Sequence, residues 1–205
     1  MAELESFCGG PFQTNGYLVS CGSQNVLFDA PMGITDWLTR NGKTIDLLIL
    51  THQHHDHIMD VAALVEAFDC PVWAFSDLDD ELTLKSSLEA ATGMEWDLGD
   101  FTVSRHLSES EPIEIEGRTF NVLHIPGHSP DSLCFHDATD NFVIGGDVLF
   151  KNSVGRTDFP NGSMEQLTSG IRAKLWPLPD DTVVYPGHGP CTEIGYEKRT
   201  NPYVG

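Results

Sequence analysis

Positive charge is what this chain lacks most. Its 205 residues carry 11 Lys and Arg against 31 Asp and Glu, a formal net charge of −20. A surface of that sign repels nucleic acid and anionic membranes, which are bound by neutralising phosphate with Lys and Arg. Long apolar runs are missing too: the longest aliphatic stretch is Leu47–Leu50, far short of the ~20 residues a membrane helix needs. No basic residue precedes Arg40, whereas Glu3 and Glu5 stand near the start, the wrong chemistry for a secretory signal. A cytoplasmic protein without nucleic-acid or membrane partners is therefore expected. The five cysteines, Cys8, Cys21, Cys70, Cys134 and Cys191, are odd in number and form no C-x-x-C pair. That argues against a disulfide framework or a thiolate zinc site and for reduced thiols. No repeat, linker or low-complexity segment interrupts the sequence, so one domain over residues 1–205 is expected, as a monomer or small homo-oligomer.

Acidic residues are concentrated. Residues 77–116 hold 12 acidic and 2 basic side chains, which reads as a solvated face. Apolar patterning alternates between strand-like and helix-like stretches. Strands are expected at Asn25–Asp29, Ile45–Leu50, Pro71–Phe75 and Thr182–Tyr185. Hairpins are expected from Ile113–Glu116 with Thr119–Ile125, and from Ser132–His136 with Phe142–Ile144. Asp60–Phe68, Thr83–Thr92 and Met164–Leu175 read as helices. Strands and hairpins with helices between them predict sheets covered by helices.

The densest chemistry is Thr51-His52-Gln53-His54-His55-Asp56-His57, directly after the apolar strand at Ile45–Leu50. In extended chain residues 52, 54 and 56 point to one side, and a bend at Asp56 brings His57 round. Imidazole and carboxylate are ligands that Zn²⁺, Fe²⁺ and Mn²⁺ accept. Three further turns repeat one format, a strand followed by a Gly-bearing loop with one ligand type. They are Ile125-Pro126-Gly127-His128, Ile144-Gly145-Gly146-Asp147 and Tyr185-Pro186-Gly187-His188. Each alone is weak. Together they supply seven candidate ligands, enough for two metals with positions open to water and substrate.

The succession H-x-H-x-D-H, H, D, H over residues 52–188 resembles the metallo-β-lactamase superfamily. That resemblance implies an α/β fold, an αββα sandwich with a dinuclear site at the sheet edge. It implies that His52, His54 and His128 hold one metal, Asp56, His57 and His188 the second, with Asp147 bridging. Gly146-Asp147-Val148-Leu149-Phe150, Gly155-Arg156-Thr157-Asp158 and the ending Tyr185–Pro202 are similar to the glyoxalase II branch, in particular its short bacterial members. Two departures stand out: no C-terminal helical domain like that of the longer enzymes is read here, and His128-Ser129-Pro130-Asp131 stands where relatives often have His-Thr-Pro-Gly.

The expected cofactor is a pair of divalent ions, zinc first, iron or manganese otherwise. Water bridging such ions ionises near pH ~7 and can attack a carbonyl carbon, with Asp56 holding or accepting its proton. A thiolate leaves without protonation, unlike an amide nitrogen. That favours a thioester, and the resemblance implies a small S-2-hydroxyacyl thioester of the hydroxyacylglutathione type. A glutathione-like carrier is anionic and needs local positive charge; Arg156 stands where the resemblance implies a basic substrate contact, and Lys198 and Arg199 are further candidates. The other reading of Arg156 is a salt bridge with Asp158, and of Lys198 and Arg199 a place on the surface. Cys191 reads as a packing thiol near the site edge, and His55 as a supporting or solvent-facing member of the cluster. The main rival function is a persulfide dioxygenase, which shares the fold, the H-x-H-x-D-H run and Gly-Arg-Thr-Asp but uses one iron. A lactone, ester or phosphodiester hydrolase and a non-enzymatic binding module complete the alternatives.

Overall fold

Strand alternation is clearest at Gln24–Phe28, where Val26 and Phe28 face one core and Leu27 another, all fully buried. A sheet buried on both faces explains that composition. In the computed structural model, which describes residues 3–93 and 95–205, this strand is β3 of a six-stranded sheet. Its companions are β1 (Leu4–Gly9), β2 (Thr14–Cys21), β4 (Leu47–Ile49), β5 (Val72–Ala74) and β6 (Val103–His106), in sequence order. The first two strands pair antiparallel and β3 to β6 run parallel. The second sheet contains β7 (Ile113–Ile115), β8 (Arg118–His124), β9 (Leu133–Asp137), β10 (Phe142–Gly146), β13 (Val183–Pro186) and β14 (Thr192–Glu193), in the order β14-β13-β10-β9-β8-β7. A short ribbon, β11 (Leu149–Phe150) with β12 (Ser153–Val154), follows β10.

The helices lie outside the two sheets. Between the sheets, Phe28 meets Phe120 and Phe135 with ring centroids 5.4 and 5.2 Å apart, inside a cluster that includes Val26, Ile49, Val122 and Ile144. The outer face of the first sheet carries Leu27 and Leu48 against α1 (Ile34–Arg40) and α3 (Val61–Phe68). The outer face of the second carries Val143 and Val184 against α6 (Met164–Gly170) and α7 (Ile194–Thr200). This is the αββα sandwich. Burying a Leu or Phe stabilises by about 1.5–3 kcal/mol, and the three clusters distribute that gain over both faces of both sheets.

Several boundaries differ from the pattern-based expectation. The strand read at Asn25–Asp29 ends at Phe28, because Asp29 adopts a left-handed φ of 62° and turns the chain. The expected helix Thr83–Thr92 is two pieces, α4 (Asp80–Thr83) and α5 (Lys85–Thr92), broken at Leu84, whose φ is 55°. The expected helix Met164–Leu175 widens after Gly170 into a looser turn in which Trp176 N donates to Ile171 O at 3.1 Å. The strands β1 and β2 and the helices α1 and α7 go unread in the sequence. In β2, Asn15, Gly16 and Ser20 dilute the apolar signal of a strand buried almost throughout.

Candidate metal centre

Four strand ends converge on one edge of the sandwich. From the first sheet, the chain leaves β4 through Thr51–His54 into a single helical turn, α2 (His55–Ile58). The turn begins one residue before the bend expected at Asp56. His52 and His54 therefore stay extended, whereas Asp56 and His57 are carried on the helical turn. From the second sheet, the loop between β8 and β9 brings His128, the end of β10 brings Asp147, and the end of β13 brings His188. Backbone bonds clamp the ends together: Leu133 N to Thr51 O at 2.8 Å, Gly187 N to Gly146 O at 2.8 Å and Asn15 N to Gly187 O at 2.7 Å.

The seven side chains fall into overlapping donor groups. His52, His54 and His128 offer atoms within 4.8 Å of one another, as do Asp56, His57 and His188, and as do His52, His57 and Asp147. Asp147 lies between the first two groups. Its Oδ1 is 3.3 Å from His57 Nε2, and its Oδ2 is 3.4 Å from His128 Nε2 and 3.3 Å from His188 Nε2. Asp56 Oδ2 lies 3.2 Å from His188 Nε2. Gly187 makes this proximity possible: a Cβ there would run into Asp147 Oδ1 and come within 2.7 Å of His57 Cε1.

The imidazoles are held from behind, with Nε2 turned inward. His57 Nδ1 donates to Asp29 Oδ2 at 2.8 Å, His128 Nδ1 to the Arg156 carbonyl at 2.8 Å and His188 Nδ1 to the Phe12 carbonyl at 3.1 Å. Thr51 Oγ1 donates to Asp29 Oδ2 at 2.8 Å and accepts from His52 Nδ1 at 3.0 Å. Thr14 Oγ1 donates to Asp56 Oδ2 at 2.7 Å. Such outer partners fix the tautomer and ring orientation of metal-binding His. They leave His52 Nε2, His57 Nε2, His128 Nε2 and Asp147 Oδ1 buried without a hydrogen-bond partner. Buried polar atoms without partners are costly, and cations held by these overlapping donor groups would satisfy them. The donor set therefore fits metal ions.

Electrostatics divides the cluster. Burial pushes His52, His54 and His128 below the ordinary imidazole range, so they are neutral donors. Burial opposes the charge on His57 as well, but Asp29, Asp56 and Asp147 outweigh it and hold its pKa well above the usual value. His188 is likewise raised, to about 10, by Asp147 and Asp56 against the effect of burial. Asp56 and Asp147 are depressed by the same histidines despite their burial. Metal uptake at this site consequently competes with protons.

Three residues that support the site escape a motif reading: Asp29, Thr14 and Asp131. Asp131 is buried and ties two ligand loops together, accepting from Gln53 N at 2.9 Å and from Ser129 Oγ. Burial pushes its carboxyl up to about 6. The only signal in the sequence is its departure from the family's usual His-Thr-Pro-Gly.

Above Asp147 opens a cavity of about 580 Å³, lined in part by Phe12, His55, Leu84, Phe150, Arg156 and Phe159. His55 belongs to this wall, with its ring edge-on to Phe12 at 5.1 Å. Arg156 lines the cavity while its Nε and Nη2 donate to Asp158 at 2.7 and 2.6 Å. Lys198 and Arg199 do not line it. Lys198 Nζ reaches Asp180 Oδ1 at 2.7 Å and the Leu178 carbonyl, and Arg199 Nη1 stands 3.8 Å from Asp180 Oδ2. The last turn of α7 aims both at the Asp180 loop, the surface placement that the sequence leaves open beside a substrate contact. All five cysteines are free, with Cys8 and Cys191 exposed. No helix among the described residues is long and apolar enough to cross a membrane.

Comparison with known proteins agrees with this geometry. Residues 9–188 match the family model described as the metallo-beta-lactamase superfamily. The chain is 35% identical to hydroxyacylglutathione hydrolase GloC of Haemophilus influenzae over 198 residues, covering 94% of this chain and 93% of that protein. Among solved structures, it is similar to TTHA1623 in a di-iron-bound form, with a TM-score of 0.84 and 38% identity over 98% of this chain and 100% of that one. It is also similar to the BLEG-1 B3 metallo-beta-lactamase, with a TM-score of 0.85 and 32% identity over 98% and 99%.

Proposed function

The chain belongs to the metallo-beta-lactamase superfamily, and from that premise we propose that it is a metal-dependent thioesterase of the glyoxalase II type, acting on S-2-hydroxyacyl thioesters. The observation that carries this reading is Asp147, set between two donor groups at the floor of one cavity that His54, Asp56, His128 and His188 also line. The likeness to a hydroxyacylglutathione hydrolase along nearly its whole length supports the choice of thioester.

In this reading His52, His54 and His128 would hold one ion and Asp56, His57 and His188 the other, with Asp147 within reach of both groups. Bound divalent ions lower the pKa of water to ~7 and polarise a carbonyl oxygen. Asp56 remains a carboxylate, oriented by Thr14, and acts as the catalytic base that holds the proton of the attacking water. Asp29 and the Arg156 and Phe12 carbonyls keep the imidazoles from rotating, so the donor atoms are positioned before substrate arrives. The cavity walls orient the thioester, and the thiolate departs without protonation because a thiol pKa lies near ~8.5.

The test is hydrolysis of S-D-lactoyl thioesters by metal-loaded protein, beside a chelated control and Asp56→Ala. Turnover that disappears in both controls is the expected result. Full metal occupancy without turnover of any thioester overturns the reading. In that case oxygen uptake with a persulfide substrate and one iron per chain would identify the dioxygenase chemistry instead.

A further inference from the structure

The walls of the cavity carry information about the substrate that the metal-holding residues do not. Away from those residues, the lining is dominated by Phe12, Leu84, Leu88, Phe150, Val154 and Phe159. Leu84 contributes at a conformational cost. Its φ of 55° lies in the left-handed region that non-glycine residues seldom adopt, and the side chain is only 7% exposed. Such strain persists where the surrounding structure demands it; here the α4–α5 corner sets an aliphatic side chain in the cavity wall.

Among the described residues that line the cavity, Arg156 is the only Lys or Arg. Its guanidinium is committed twice, gripped by Asp158 through two nitrogens and lying over the Phe159 ring with Cζ 4.2 Å from the centroid. Asp158 offsets part of its charge, in a pair whose two side chains are both largely exposed. Lys198 and Arg199 are turned to Asp180. The field of the whole chain, at −20, opposes an anion as well. A free carboxylate on the substrate would therefore leave water for an apolar wall whose lining offers no Lys or Arg free of a carboxylate partner, which is unfavourable. Glutathione carries two such carboxylates.

We infer that the cavity takes the uncharged, apolar part of its substrate, and that the protein acts on thioesters of neutral thiol carriers in preference to glutathione. This rests on the thioesterase reading above and narrows it to a substrate class.

Two measurements on the metal-loaded protein test it. The first is calorimetric binding of two non-hydrolysable thioethers that differ only in the carrier, S-benzyl-N-acetylcysteamine and S-benzylglutathione. The neutral thioether is expected to bind about tenfold tighter or better, a difference of ~1.4 kcal/mol or more. The second is kcat/KM for the D-lactoyl thioesters of the same two thiols, with the same direction expected. Asp158→Asn, which releases the Arg156 charge to the cavity, is expected to shift both ratios several-fold toward glutathione. Equal or tighter binding of S-benzylglutathione, with efficient hydrolysis of its lactoyl ester, overturns the inference and leaves the thioesterase reading intact. Preferential binding of the neutral thioether without hydrolysis of either ester supports the cavity assignment and overturns the thioesterase reading.

Discussion

Asp131→Asn isolates the contribution of one buried carboxyl to both stability and the metal centre. Asp131 is 1% exposed, and burial raises its carboxyl from the ordinary 3.8 to about 6. Between those values the folded chain holds a proton that the unfolded chain has released. The contribution of Asp131 to stability is therefore greatest below pH ~4, falls as pH rises through the window, and levels off above pH ~6. A difference of that size corresponds to about 3 kcal/mol at neutral pH, of which about 1 kcal/mol develops between pH 5 and pH 7. Asn can still accept from Gln53 N through its carbonyl oxygen, and its amide can donate to Ser129 Oγ, so both ligand loops remain tied. The variant should be more stable than the parent at pH 7, by up to about 3 kcal/mol, and the advantage should shrink by about 1 kcal/mol at pH 5. Urea denaturation of the chelated proteins at pH 5, 6, 7 and 8 measures this, and the histidine titrations common to both proteins cancel in the difference. Metal affinity should be preserved in Asp131→Asn and reduced in Asp131→Ala, which leaves Gln53 N without its acceptor. A stability difference that does not change with pH would refute the assignment of a raised carboxyl.

Other residues give sharper tests of the site itself. Gly187→Ala places a methyl against Asp147 and His57; it should lower metal content at least about tenfold in competition with a chelator while far-UV circular dichroism is retained. Asp29→Ala removes the acceptor shared by His57, Thr51 and the Thr51 amide, and should cost about 10–100-fold in metal affinity, measured by chelator titration. Lys198→Ala and Arg199→Ala should leave KM for a lactoyl thioester within about twofold, because their charges face Asp180. A large rise in KM for either would return it to the substrate path.

Legibility in the sequence followed the range of the interactions involved. The H-x-H-x-D-H cluster was readable because its members are neighbours in the chain and follow an apolar strand. The hairpins Ile113–Ile115 with Arg118–His124, and Leu133–Asp137 with Phe142–Gly146, were readable because alternation and turn residues are local signals. Asp29 was read only as the end of a strand. Its role depends on a left-handed turn that aims its carboxylate at Thr51 and His57, more than twenty positions away. Lys198 and Arg199 show the converse. They follow a ligand-bearing loop in sequence, yet the direction of α7 sends them to another surface.

The sequence by itself determined the ligand chemistry, the number of candidate donors and the layered class, since side-chain type and apolar period are local properties of the chain. Only the tertiary structure decided which donors come within reach of one another and which basic side chains are already paired with a carboxylate. Those are questions of distance between strand ends on two different sheets, and of whether an opposite charge has already claimed the side chain. Asp147 follows β10 and Arg156 follows β12, nine residues apart in the chain. Packing turns Asp147 Oδ1 toward the donor cluster at the floor of the cavity with no hydrogen-bond partner, and binds the Arg156 guanidinium to Asp158 at its wall.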